Sequence, residues 1–224
     1  MNEIVKLVNN FSPLPVLITS AYALLVYKQL TRELKVFCWF IFASGLVQLL
    51  SSLLWFQSKN NLPLLHLYVA GGFICLAWFY SSVLKNFISQ KIIWGAATLF
   101  TIFTLTNSLF IQNIYTFNSH ALTTESVLII IFSLFTFIVL MNDIVKEKRI
   151  HLIKSLNWIN SGLFIYYTSS LMIFYFGEII THTFSKSMNR YTWFFHSFFS
   201  LAMYFCFFVG LWKRPRHDNS GRVS

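Results

Sequence analysis

The chain has 224 residues, of which 56% are hydrophobic and 11% are charged. Soluble domains carry about 25% charged residues, so this composition excludes an ordinary water-soluble domain. The formal net charge of +10 does not indicate nucleic-acid binding, because the 17 basic residues lie at the ends of apolar blocks and in the connections between them.

The apolar blocks predict seven transmembrane helices, which we call spans 1 to 7. In chain order they cover residues 13–30, 36–56, 63–84, 92–111, 121–141, 156–176 and 191–212. Each is long enough to cross about 30 Å of hydrocarbon as a helix. The sequence therefore predicts an all-α membrane protein: one seven-helix transmembrane domain over residues 1–212, followed by a basic cytoplasmic tail over residues 213–224.

The basic residues are distributed unequally between the two sides of the predicted bundle. Four lie on the side of the N-terminus, namely Lys6, Lys59, Lys186 and Arg190. The other thirteen lie at the end of span 1, after spans 1, 3 and 5, and in the tail. The positive-inside rule then places the N-terminus outside and the C-terminus in the cytoplasm. We expect a multi-pass protein of the bacterial inner (cytoplasmic) membrane.

Several polar side chains inside the spans share one depth. Glu125, the single acidic residue within a span, lies about one turn inside the outer end of span 5, and His66 and His196 lie at a similar depth in spans 3 and 7. Gln48 and Asn107 also fall in the outer half. Polar groups facing lipid would be left unpaired, so we expect these residues to line a polar pocket that opens outward.

Two stripes at helical spacing support an inward orientation of polar side chains. They are Ser44, Gln48 and Ser51 or Ser52 on span 2, and Thr192, His196, Ser200 and Tyr204 on span 7. Residues at steps of four share one face of a helix, and an interior face gives their polar groups partners.

The sequence allows three interpretations of these polar residues at one depth. The side chains form hydrogen bonds that join helices, or they bind a small molecule or a lipid headgroup. In the third reading His66, Glu125 and His196 hold a divalent metal such as zinc, since two histidines and a carboxylate form a ligand set with an open position.

Span 6 begins with a second group of polar and small residues near the cytoplasmic side. Asn160 and Ser161 can form hydrogen bonds across helices, and Gly162 allows two helices to approach closely. Helix packing is the predicted role, and contact with a cytoplasmic ligand is the alternative.

A resemblance to other proteins lies in the segments Pro63-Leu64-Leu65-His66-Leu67-Tyr68 and Trp158-Ile159-Asn160-Ser161-Gly162, together with Glu125 and His196. In these residues the chain resembles an uncharacterised family of small bacterial seven-helix membrane proteins. The resemblance extends over nearly the whole chain. Members often have an acidic residue four positions after the span 3 tyrosine, where this chain has Gly72. Family members are often encoded near sensor kinases, so the resemblance implies a role in signalling.

The leading hypothesis is a membrane sensor or signalling module whose outward pocket binds a small molecule or lipid. Its basic cytoplasmic face would contact a signalling protein or anionic membrane lipid. The alternatives are a metal-dependent intramembrane lipid hydrolase and a structural or pore-forming subunit of an oligomer. A retinal protein is disfavoured, because it needs a lysine within the seventh helix and span 7 contains none.

Overall fold

The computed structural model describes residues 11, 13–145, 149–183 and 185–215, and helices make up nearly all of this part of the chain. The helices are α1 (Pro13–Val26), α2 (Arg32–Phe56), α3 (Leu62–Val83), α4 (Gln90–Thr106), α5 (Ser119–Val145), α6 (Ile150–Tyr175), α7 (Gly177–Thr183) and α8 (Lys186–Trp212). A 3-10 turn at Tyr27–Gln29 follows α1, and a π-helical turn at Asn107–Ile111 continues α4. The predicted all-α class is confirmed for the described residues.

Local sequence sets where several helices begin. Pro63 lies in the first turn of α3, where the missing backbone N–H needs no helical partner. The Ser185 hydroxyl caps α8 by accepting a hydrogen bond from the Met188 backbone N–H. Helices α2 and α6 begin at Arg32 and Ile150, before the predicted spans, because hydropathy detects apolar residues and not polar first turns.

Five helical segments in the described part of the chain are long and apolar enough to cross a membrane. They are Arg32–Phe56, Leu62–Val83, Gln90–Ile111, Ser119–Asn142 and Ser187–Trp212. Helix α1 has only 14 residues. Helix α6 has 26 residues but is not among these five segments. The structure thus indicates a multi-pass membrane protein, and the count of seven spans remains a prediction.

The outer surface of the bundle carries large apolar side chains. Leu25 and Phe110 are each 81% exposed, and Phe56 is 76% exposed. Soluble monomers rarely expose contiguous apolar surface of this kind, whereas lipid tails solvate it without cost.

Pairwise packing arranges six helices in a ring. The most extensive contacts join α5 to α6 and α6 to α8, and α1 packs between α8 and α2. Helix α3 contacts α2 and α5 and completes the ring, while α4 packs against the outside of α3. Helix α4 with its π-turn is also the least buried of the candidate spans, at 28%.

The predicted packing residues of span 6 lie at contacts of α6 with its neighbours. The Asn160 amide donates to the Ser133 carbonyl on α5 at 3.0 Å, and its Oδ1 accepts from the Tyr80 hydroxyl on α3 at 3.4 Å. A Cβ added at Gly162 would lie 2.8 Å from Cys206 Cβ on α8. Ser161 is half-buried. Asn160 and Gly162 therefore join α6 to the rest of the ring.

One end of the ring, which we call the basic end, gathers cationic side chains from several helices. Arg149 pairs with Glu33 at 3.6 Å, Arg214 donates to Gln29 Oε1 at 2.7 Å, and Lys213 lies 5.4 Å from the Trp158 ring centre. Other residues in the predicted charge bias lie outside the described part of the chain, namely Lys6, Lys146, Lys148, Arg216 and Arg222. The orientation in the membrane remains a prediction.

Candidate functional site

A cavity of about 630 Å³ occupies the centre of the ring in the half opposite the basic end. Helices α1, α2, α3, α5, α6 and α8 all contribute to its lining, as does the loop between α4 and α5. No α4 residue lines the cavity among the described residues. A ligand in this space would therefore contact six helices at once.

Glu125 is the acidic group of the cavity lining. It lies in the second turn of α5, and its side chain is only 3% exposed. The Tyr167 hydroxyl of α6 donates to Glu125 Oε1 at 3.2 Å, which is the one hydrogen bond to this carboxyl within the described chain. A buried carboxyl group with a single neutral partner leaves hydrogen-bonding capacity for something in the cavity.

His196 lines the cavity from α8 and is surrounded by aromatic rings. Its Nε2 shares a hydrogen bond with the Tyr166 hydroxyl at 3.0 Å. The ring centres of Phe174 and Trp193 lie 5.5 Å and 5.6 Å from that of His196. This packing fixes the orientation of the imidazole ring at the cavity wall.

The two predicted polar stripes supply further lining residues. Those on the cavity wall are Ser44, Gln48 and Ser51 from α2, and His196, Ser200 and Tyr204 from α8. The Ser44 hydroxyl also shares a hydrogen bond with the Tyr68 hydroxyl of α3 at 2.8 Å. Thr192 does not line the cavity, and its hydroxyl donates to the Met188 carbonyl in its own helix.

The structure places His66 and Asn107 away from the cavity lining. His66 Nδ1 bonds to the Ser108 hydroxyl at 2.8 Å, and its Nε2 bonds to the Thr116 carbonyl at 3.2 Å. The Asn107 amide donates to Gln112 Oε1 and Asn118 Oδ1, each at 3.0 Å. These two residues hold the connection between α4 and α5, whereas Gln48, Glu125 and His196 share the cavity.

The three residues considered for a metal are not assembled as a ligand set. Both ring nitrogens of His66 are engaged with Ser108 and Thr116. Within the described part of the chain, no group of three or more His, Cys, Asp or Glu residues is placed to hold a metal ion. His66 was predicted at the same depth as Glu125 and His196, but its side chain faces the α4–α5 connection and theirs face the cavity.

Aromatic residues from three helices make up much of the wall, and most of them were not predicted as site residues from the sequence. Tyr68 of α3, Tyr166 and Tyr167 of α6, and Trp193 and Tyr204 of α8 all line the cavity. We call these five residues the aromatic wall. Tyr166 and Tyr167 could have been identified from the sequence, because they lie in the middle of a helix, away from the interfacial belts where tyrosine is common.

The cavity ends at a packed aromatic layer toward the basic end. Phe40 lies at its inner wall, and the ring centres of Phe37 and Phe207 are 4.9 Å apart just beyond it. Phe37 and Phe207 are fully buried. Fully buried aromatic rings thus pack beyond the inner wall of the cavity on the side of the basic end.

Comparison with protein-family models, with curated proteins and with solved structures finds no match to this chain. The cavity and its side chains are therefore the features from which a function can be inferred.

Proposed function

We propose that this protein is an integral membrane sensor that binds a small molecule or lipid in the central cavity and passes a signal to a partner protein. In this proposal seven helices span the bacterial inner membrane, the N-terminus lies outside, and the cavity faces outward. The basic end then lies in the cytoplasm, in accord with the positive-inside rule.

The cavity is the observation that carries this proposal. Ligand sites occupy about 300–1,000 Å³ and combine apolar walls with a few placed polar groups. The volume of about 630 Å³ falls in this range, and Glu125 and His196 are polar groups on an otherwise largely aromatic and aliphatic wall. A buried carboxyl group is costly unless its oxygens have polar partners; Tyr167 supplies one hydrogen bond, and a ligand in the cavity could supply others.

Helices α5 and α6 extend from the cavity to the basic end and could couple the two. The Tyr167–Glu125 hydrogen bond joins them at the cavity, and the Asn160–Ser133 hydrogen bond joins them further along. A ligand that binds more tightly to one relative position of these helices would increase the population of that arrangement. The packing of the two helices would then change at the basic end as well as at the cavity. The described residues contain no soluble output domain, so the proposed signal passes to a partner at the basic end.

The packed layer formed by Phe37 and Phe207 favours binding over conduction. Both side chains are fully buried and in contact with each other, so they would have to move apart before a molecule could pass between them. No observation favours the lipid hydrolase, because the expected metal ligands are not assembled. The sensor is therefore the function that the geometry supports best.

The experiment compares the full chain with a variant whose cavity is filled. Ser200→Trp introduces an indole at the cavity wall, and Leu99→Trp introduces the same group at a position that is 70% exposed on the outer surface. Each protein is purified in native lipid, and the bound small molecules are identified by mass spectrometry. In cells, photocrosslinkers at Lys85 and Lys91 report contacts of the basic end.

We expect the wild type and Leu99→Trp to retain the same bound molecule and the same crosslinked partner. Ser200→Trp should lose the molecule and change the crosslinking pattern. Identical bound molecules and identical crosslinks in all three proteins would overturn the proposed function.

A further inference from the structure

The cavity lining has an unbalanced charge. Glu125 lines it, but no lysine or arginine does so within the described chain. His196, the remaining ionisable group other than the tyrosines, already shares a hydrogen bond with Tyr166. An anionic ligand would meet a carboxyl group and no cationic side chain, so the lining disfavours anions.

The aromatic wall supplies rings that can attract a cation. Four tyrosines and one tryptophan from α3, α6 and α8 surround the cavity. Aromatic rings attract ammonium groups through their negative faces, and the attraction is strongest where water is excluded. Tyrosine and tryptophan also accommodate the hydrocarbon part of such a molecule.

We propose that the ligand of this cavity is an organic cation that carries an ammonium group on an apolar body. This inference rests on the proposed function and names the chemical class of its ligand. The ammonium group would pair with Glu125 and lie among the rings of the aromatic wall, and the apolar body would contact side chains such as Val16, Leu122 and Met203.

The contacts of Glu125 suit this role. Tyr167 donates to Oε1 at 3.2 Å and thereby fixes the carboxyl group, which keeps Oε2 available to a ligand. Because no lysine or arginine among the described residues lines the cavity, the ligand itself would supply the charge that compensates an ionised Glu125. The same ammonium chemistry occurs in free amphipathic amines and in the headgroup of phosphatidylethanolamine, and the test distinguishes these two sources.

The experiment uses three probes with one hexyl chain and different charges. Hexyltrimethylammonium, hexan-1-ol and hexane-1-sulfonate are titrated calorimetrically into the full chain in phosphatidylglycerol nanodiscs, with empty nanodiscs subtracted. We expect the cation to bind at least about tenfold more tightly than the alcohol, equivalent to about 1.4 kcal/mol, and the sulfonate to bind most weakly. Since this ranking is measured on the wild type, it does not depend on how any variant folds.

Variants then test whether the preference for the cation arises in the cavity. Glu125→Gln keeps the shape of the side chain and should weaken cation binding at least about tenfold while leaving binding of the alcohol unchanged. Tyr166→Phe keeps the ring and should bind the cation more tightly than Tyr166→Leu does. Glu33→Gln removes the carboxylate that pairs with Arg149 at the basic end and should leave cation binding unchanged.

A second series, in high salt that screens the surface charge of the bilayer, replaces part of the phosphatidylglycerol by phosphatidylethanolamine. Weaker apparent binding of hexyltrimethylammonium would show that the lipid headgroup enters the cavity, and unchanged binding would assign the site to a free amine. Either result supports the ammonium class, provided that the cation is preferred.

The ammonium class is overturned if the alcohol or the sulfonate binds as tightly as the cation, or if the cation does not bind. Should Ser200→Trp lose an uncharged or anionic bound molecule together with its crosslinks, the sensor function stands and the ligand class fails. Should the cation bind while crosslinks at the basic end never depend on the cavity, the ligand class stands and the sensor function fails.

Discussion

The contact between α6 and α8 gives a sharp test of the packing that holds the cavity walls. A Cβ added at Gly162 would lie 2.8 Å from Cys206 Cβ and 3.0 Å from the Met203 carbonyl oxygen. The carbonyl belongs to the backbone of α8, so it cannot move alone, and Gly162→Ala must push the two helices apart. Overpacking of this kind costs about 1–3 kcal/mol.

Gly95→Ala is the matched control for this substitution. Gly95 lies inside α4, and nothing lies within 4 Å of an added Cβ. Both substitutions gain the same helix propensity, up to about 1 kcal/mol, so this contribution cancels in the comparison. We therefore expect Gly162→Ala to be less stable than Gly95→Ala by about 1–3 kcal/mol, which is the overpacking cost alone.

The free energy of unfolding is measured by titrating sodium dodecyl sulfate into mixed micelles and following helicity by circular dichroism. Gly210→Ala provides an independent repeat, because its Cβ would lie 2.7 Å from Ile159 Cγ1 and 3.0 Å from the Ser155 carbonyl oxygen. If Gly162→Ala and Gly95→Ala unfold with the same free energy, the close approach of α6 and α8 described above is refuted.

Three further predictions concern other parts of the bundle. Asn160→Leu removes the hydrogen bonds to Ser133 and Tyr80 and should lower the free energy of unfolding in the same assay by about 0.6–1.7 kcal/mol; an unchanged value contradicts this. His66→Ala should increase amide hydrogen exchange over residues 107–118 without changing the metal content, and a loss of bound metal would restore the metal hypothesis. On intact cells, an impermeant maleimide should label Ser58→Cys but not Ser89→Cys, and the opposite pattern would reverse the proposed orientation.

Features that depend on one helix alone could be predicted from the sequence. The polar stripes of α2 and α8 are an example, because residues at steps of four share a face whatever the neighbours are. Ser44 and Gln48, and likewise His196 and Ser200, accordingly lie together on the cavity wall. The predicted spans also coincide with helices, since apolar length is a property of the local sequence.

The cavity as a whole could not be predicted, because depth along a helix does not give the direction in which a side chain points. His66 was placed at the correct end of α3 but faces the α4–α5 connection. Asn107 lies at the start of a π-helical turn, which departs from the spacing assumed for an α-helix, and its amide faces Gln112 and Asn118. Both directions depend on contacts between helices that are distant in sequence.

The two halves of the ring differ in how completely they are packed, and this difference links the fold to the proposed function. Toward the basic end, Phe37, Phe207 and the close approach at Gly210 leave little room for adjustment. In the other half, the same helices enclose about 630 Å³ that their own side chains do not fill. Wall atoms beside an unfilled space lack van der Waals partners, and an occupant that restores those contacts favours whichever helix arrangement fits it best. Because the packed half transmits displacement rather than absorbing it, a small change at Glu125 and Tyr167 would reach the basic end through α5 and α6.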